Sequence, residues 1–338
     1  MQRPIAISYG IFALLLILVA ALGLGTPFIA ALFCYLALTK LAFAGKKWIA
    51  ITLFLILIAA GFVAFVFFLK RAWVVLPEIV ETAIPIVVRF AQAYGVELPF
   101  TDSESLRAVA MESVRDTLGQ LGKYVKVATK EFVFLLIGIV VAVGVFLNPD
   151  FEPERERRMK RPDLYSFYTG QIKERFASFY ASFQTVIGAQ IIISAINTFL
   201  TALFVFAFGL RYAAVVIALT FVCGLLPIVG NIISNSIIIG IAFTMSPKLA
   251  AGALVFLVSI HKLEYFLNSR IIGGRIHHPM WLILLALLIG EQLMGIPGLI
   301  LAPIVLSFVK VEMKKIGMDS DLELTEREPL TRRELTPV

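Results

Sequence analysis

The sequence predicts an all-α polytopic membrane protein, with about six to eight transmembrane helices and two re-entrant or broken helical hairpins. Three observations predict it. The 338 residues are 59% hydrophobic and only 16% charged, with a mean hydropathy of +0.92, whereas a soluble domain is about half apolar and a quarter charged. Apolar runs near the roughly 20 residues that a helix needs to cross a bilayer alternate with charged loops. Two further apolar stretches are broken near their middles, at Gly224-Leu-Leu-Pro227-Ile-Val-Gly230-Asn231 and at Glu291-Gln292-Leu-Met-Gly295-Ile-Pro297-Gly298.

The first helices follow from the charge pattern. No charge occurs between Arg3 and Lys40, and Gly23-Leu-Gly25-Thr-Pro27 divides that run into Ile5–Leu22 and Phe28–Ala44. Ala21-Leu-Gly23 resembles a cleavage site, but the run is too long for a signal peptide and a second apolar segment follows at once, so the first helix is expected to be retained. Trp48–Leu69 is the third span, closed by Lys70, Arg71 and the interfacial Trp73. These three helices form an N-terminal unit, residues 1–70. Cys34 and Cys223 both lie in apolar runs and read as core thiols.

Residues 71–131 carry seven basic and eight acidic side chains, a balance that suits the non-cytoplasmic side under the positive-inside rule. Thr101-Asp-Ser-Glu104 reads as a capping box. Leu106, Val109, Ala110, Val114, Leu118, Leu121 and Val125 then line one face of an amphipathic helix. The next unit, residues 132–182, holds the fourth span, Phe132–Leu147, and a basic helix containing Arg155-Glu-Arg157-Arg158-Met-Lys160-Arg161. That run suits the cytoplasmic headgroup surface; it is short and mixed with acids, so nucleic acid is not an expected partner despite the formal charge of +7.

Residues 183–310 form the expected transport core. The fifth span, Phe183–Phe208, carries Gln190, Ser194, Asn197, Thr198 and Thr201 on one face, and polar groups in lipid must face protein or water. Proline removes a backbone donor and interrupts a helix. The arm Tyr212–Leu226 before the first break would rise about 22 Å, short of the roughly 30 Å hydrocarbon core, and Asn231–Ser246 after it is equally short. Non-helical backbone survives at membrane depth only where protein or a water-filled cavity satisfies it. Broken segments in a membrane chain point to a solute site. A further span from Lys248 ends at His261-Lys262-Leu-Glu264, with Asn268 and Arg270 beyond, where Lys262, Glu264 and Arg270 read as ion pairs at the cytoplasmic rim. Met280–Gly290 and Ile296–Val309 flank the second break. The tail, residues 311–338, is expected to be cytoplasmic and disordered from Asp319, with both termini inside.

From Gly224 to Glu312 the chain resembles the autoinducer-2 exporter family of bacterial permeases. The resemblance rests on Leu226-Pro-Ile-Val-Gly230, on His261-Lys-Leu-Glu264 with Asn268, and on Gly290-Glu-Gln-Leu-Met-Gly295-Ile-Pro-Gly298-Leu-Ile-Leu-Ala-Pro303. It implies an inner-membrane homo-oligomer, a pentamer, that works by an elevator-like movement. Family members are associated with export of the furanone signal autoinducer-2 or with sodium/proton exchange.

The site expected from these residues joins the two breaks across a crevice. Pro227, Gly230, Asn231, Asn235, Gln292, Gly295, Pro297 and Gly298 would meet the Gln190, Ser194 and Asn197 stripe around a small polar solute. Amides both donate and accept, which suits hydroxyl-rich ligands. Glu291, between two apolar arms, is the candidate for proton or cation coupling. His261 and Glu264, completed by His277 and His278, have ligand-like spacing, but a helix end and loop account for them, so no metal is expected. No phosphate-binding Gly-Lys-Ser/Thr loop occurs and no cofactor is expected. The chain reads as a transporter, not an enzyme, with a cation/proton antiporter as the alternative and a membrane scaffold as a third reading.

Overall fold

A computed structural model describes residues 3–42, 46–93, 121–148, 164–226, 229–271 and 279–331. All regular structure among them is helical. In chain order the helices are α1 (Arg3–Ala21), α2 (Gly25–Leu41), α3 (Lys47–Ala93), α4 (Leu121–Leu147), α5 (Leu164–Ala207), α6 (Ala213–Gly224), α7 (Val229–Met245), α8 (Pro247–Ile271), α9 (Met280–Met294) and α10 (Ile296–Thr331). The expected capping box at Thr101 and most of the amphipathic face that follows it lie outside the described residues, as do Pro227, His277, His278 and the basic run at 155–161.

Four helical segments are each long and apolar enough to cross a bilayer: Lys47–Phe68, Lys126–Leu147, Tyr168–Ala207 and Ile296–Ile316. The pair α1–α2, bent by 117° at its turn, makes a fifth if counted as one broken span. Shorter apolar helices occupy Ala213–Gly224, 230–245 and Trp281–Met294, so both arms of the first break are short.

Three helices run further than the charge pattern suggests. α3 does not end near Arg71 but continues to Ala93, because the interfacial Lys70, Arg71 and Trp73 are compatible with helix once outside lipid. α5 joins the expected cytoplasmic helix and fifth span in one rod of 44 residues, about 66 Å long at the usual rise. α10 is helical to Thr331, past the Asp319 where a disordered tail was expected. Its apolar part reaches Ile316, so the second arm of the second break is a full-length span.

Glycine geometry explains the breaks. The α1–α2 turn uses Gly23 at φ +64°, and the α9–α10 turn uses Gly295 at φ +64°, a left-handed conformation that favours glycine. Beyond Gly295 the two arms close so tightly that a Cβ on Gly298 would strike the carbonyl oxygen of Gly290.

Three apolar clusters hold the bundle, and α5 contributes to two of them. Phe179, Phe183 and Ile187 of α5 pack with Phe12, Ile29, Leu301, Ile304 and Phe308. Further along, Phe204 and Val205 join Val216, Ile238, Ile241 and Leu257. Leu38, Ala50, Phe54, Ala142 and Phe146 bind α2, α3 and α4, where Gly138 lets α4 approach Ala30 and the Pro27 carbonyl. Lys47 Nζ closes the end of α4 by donating to the Leu147 carbonyl at 2.8 Å. Many large apolar side chains remain exposed on the chain, among them Phe62, Phe65, Phe132, Val140 and Phe206; in a bilayer they face lipid.

Crowding at the α9–α10 hairpin gives a direct check. Gly298→Val should lower the unfolding midpoint of detergent-purified protein by the equivalent of about 1–3 kcal/mol, the usual cost of overpacking. Gly144→Ala, where an added Cβ meets nothing within 4 Å, should leave the midpoint in place.

Candidate functional site

The polar stripe of α5 is aimed at the first break. Gln190 Nε2 donates to the Gly224 carbonyl at 2.6 Å, and Ser194 Oγ donates to the Phe221 carbonyl at 2.8 Å. These are carbonyls of the last turn of α6, which have no intrahelical partners once the helix stops. The approach is close: a Cβ on Gly224 would lie 2.5 Å from Ser194 Oγ. On the other side of the break, Gly230 sits so tightly on the Cys223 carbonyl that a side chain there would collide with it. The helix ends on either side of the first break are thus held by α5 and by bare glycine backbone.

One turn along, the stripe meets a carboxylate. Glu264 of α8 is only 9% exposed. Its Oε2 accepts from Asn231 Nδ2 at 2.6 Å and from Asn197 Nδ2 at 3.4 Å, while His261 Nδ1 lies 3.9 Å away. Asn231 occupies the first turn of α7, whose positive dipole end favours a carboxylate. Asn197 is 5% exposed, and its Oδ1 has no hydrogen-bond partner. Asn235, one turn further along α7, is half-buried.

The expected rim ion pair of Glu264 with Lys262 does not form. Side chains two apart on a helix point to nearly opposite sides; Lys262 is exposed, whereas Glu264 turns inward to the amides. Arg270 lies on α8, but its side chain is outside the described set.

The second break takes different neighbours. Pro297 and Met294 pack against Gly25, where a Cβ would fall 2.8 and 2.9 Å from them, and the neighbouring Thr26 hydroxyl donates to Glu131 at 2.5 Å. Glu291 and Gln292 are both exposed on the chain, and Gln292 Nε2 donates to Glu291 Oε2 at 3.2 Å. Among the described residues the hairpin of the second break packs on α1, α2 and, most extensively, α5. α10 runs antiparallel to it, with Glu312 beside Arg175 and Phe308 against Phe179 (ring centroids 5.6 Å apart).

Sequence reasoning missed a second polar centre near the middle of α10. Arg175 (5% exposed) and Glu312 (3% exposed) form a buried ion pair. Tyr9 Oη donates to Glu312 Oε2 at 2.6 Å and receives Arg175 Nη1 at 2.6 Å, while the guanidinium lies 4.4 Å from the Tyr9 ring centroid. Ser178 Oγ donates to Glu312 Oε1, and Lys315 Nζ reaches the same oxygen at 2.8 Å. Arg175 and Glu312 lie in the apolar stretches 168–207 and 296–316 beside further charges, Lys173 and Glu174 in the first and Lys310, Lys314 and Lys315 in the second. The local pattern therefore does not single them out, and the pairing required knowing that α10 returns along α5.

Together, the fold and the first break define a multi-pass membrane protein with amides and one carboxylate gathered around an interrupted helix. A family model described as AI-2E family transporter matches residues 5–317, nearly the whole chain. The chain belongs to this family of membrane transporters. It is also similar to the "Putative transport protein YdbI" of Bacillus subtilis (strain 168), with 28% identity over 174 residues, 48% of this chain and 49% of that protein. The chain thus matches about half the length of that curated relative.

The Arg175–Glu312 pair should behave as an anchor among α1, α5 and α10. Arg175→Ala strands a buried carboxylate and should lower unfolding stability by about 3–5 kcal/mol, whereas pairing Arg175→Met with Glu312→Leu should recover most of it. Thermal unfolding in detergent compares the two.

Proposed function

We propose that the chain is a secondary transporter that exports a small polar solute, of the class of the furanone signal autoinducer-2, through the centre at the first break. The observation that carries this reading is the convergence of Gln190, Ser194, Asn197, Asn231 and Glu264 from three helices at an interrupted backbone inside an otherwise apolar bundle. A charged or polar group at such depth is costly and is retained where it serves a pathway. Amides and a carboxylate offer both donors and acceptors to hydroxyl groups. Asn235 extends this polar surface along α7. In this reading the second break, with Gly295, Pro297 and Gly298, forms the opposite wall, and Glu291 with Gln292 adds polar groups at that turn.

The working form we propose is a homo-oligomer, pentameric as the family resemblance implies, in the bacterial inner membrane with both termini cytoplasmic. Movement of the short arms against α5 would give elevator-like alternating access. A cation/proton antiporter is the second reading, and the buried carboxylate of Glu264 favours it, since a neutral solute does not require one. A membrane scaffold would not need a polar centre at the break.

Purified protein reconstituted in vesicles separates these readings. Efflux of a furanone or sugar-like solute, assayed beside sodium- and potassium-dependent proton movement, should show solute flux. That flux should fall by about tenfold in Gln190→Ala and in Asn231→Ala, as expected for losing a contact of about 1.4 kcal/mol. Cation-dependent proton movement without solute flux would identify the antiporter. Unchanged flux in both variants would remove the first break from the pathway.

A further inference from the structure

The two carboxylates buried among the described residues sit in opposite electrostatic settings. Glu312 is paired with two fixed positive charges, Arg175 and Lys315. Glu264 is also buried, yet nothing with a permanent positive charge touches it among the described residues. The groups facing it from α5 and α7 are the neutral amides of Asn197 and Asn231, and Gln190 and Ser194 nearby are neutral as well. On α8 itself the facing ionisable group is His261, 3.9 Å away with an exposed side chain, while Lys262 points outward. Where no described cation offsets it, burial favours the neutral form of a carboxyl.

Asn197 supplies the second observation. With its Nδ2 turned to the carboxylate, its Oδ1 has no donor among the described residues, so no third group locks the amide in one orientation. Rotating that amide about its terminal torsion exchanges the two atoms. Oδ1 then faces Glu264 and requires a donor there, which a protonated carboxyl provides. Each amide orientation therefore matches one protonation state of Glu264.

We propose that Glu264 is a reversible proton-binding site whose occupancy is read by the Asn197 amide. A proton from water adds to a carboxylate oxygen of Glu264, the new O–H donates to Asn197 Oδ1, and the negative charge at the start of α7 is removed. Neutralisation weakens the hold of Glu264 on Asn231 and frees the first break from α8. This rests on the transport reading above, because it assigns that transporter its coupling proton and places it at Glu264 and not Glu291.

The test uses full-length protein in proteoliposomes, with infrared difference spectra between acidic and alkaline buffer. Wild type should show a protonated-carboxyl C=O band that Glu264→Gln removes and Glu264→Asp shifts; the aspartate variant reports even if the glutamine variant does not elute as a single folded species. Asn197→Asp should shift the same band, because it replaces the reading amide. In the same vesicles, an imposed pH gradient should change solute flux in wild type but not in Glu264→Gln. A band that survives Glu264→Gln, one that vanishes instead in Glu291→Gln, or one displaced by sodium but insensitive to pH overturns the proposal. Solute flux with no Glu264 band sinks the proton site and leaves transport standing. A Glu264 band without flux of any solute or cation does the reverse.

Discussion

A backbone that stops being helical inside lipid must have its orphaned polar groups satisfied by protein, and the rest of this molecule answers that constraint. The last turn of α6 exposes carbonyls at Phe221 and Gly224, and α5 supplies Ser194 and Gln190 to meet them. Because α5 is helical from Leu164 to Ala207, it holds both donors one turn apart on the same face. It also explains the bare backbone at Gly224 and Gly230, since any side chain there would push the elbow off its partners.

Around that seal the apolar clusters divide the labour. The first half of α5 is fixed to α1 and α10 by interlocked rings, with Phe12 5.1 Å from Phe308 and 5.7 Å from Phe179, and by the Arg175–Glu312 pair at their end. Its second half carries α6, α7 and α8, with Phe204 stacked on Phe256 at 4.3 Å. The polar stripe lies between these two apolar regions, where α5 passes the first break. A polar centre placed at such a junction can change its hydrogen bonds without unpacking either core, because the aromatic contacts on both sides are independent of it.

The contrast between Glu264 and Glu312 shows how one residue type takes two roles in one bundle. An Arg and a Lys hold Glu312 as a permanent ion whose loss would strand charge in a dry site. Two amides hold Glu264, and amides can serve either protonation state. Family membership alone, established over residues 5–317, does not distinguish these two acids; their neighbours do.

Composition and periodicity by themselves determined that this chain is helical and embedded in a membrane, because burial in lipid acts on each segment separately and leaves its mark in local hydropathy. They also located the two breaks, the polar stripe on the fifth span and the glycine turns at Gly23 and Gly295, each a short-range consequence of residue type. Tertiary structure alone decided which polar groups meet. Glu264 turned from an expected rim charge into the partner of Asn231 and Asn197, and Arg175 found Glu312 across 137 positions of chain. The run of α3 to Ala93 and of α10 to Thr331 was hidden for a related reason, since interfacial charges mark where lipid ends and not where a helix does. Partners so distant in sequence are chosen by how helices pack side by side, and no local pattern of residues carries that choice.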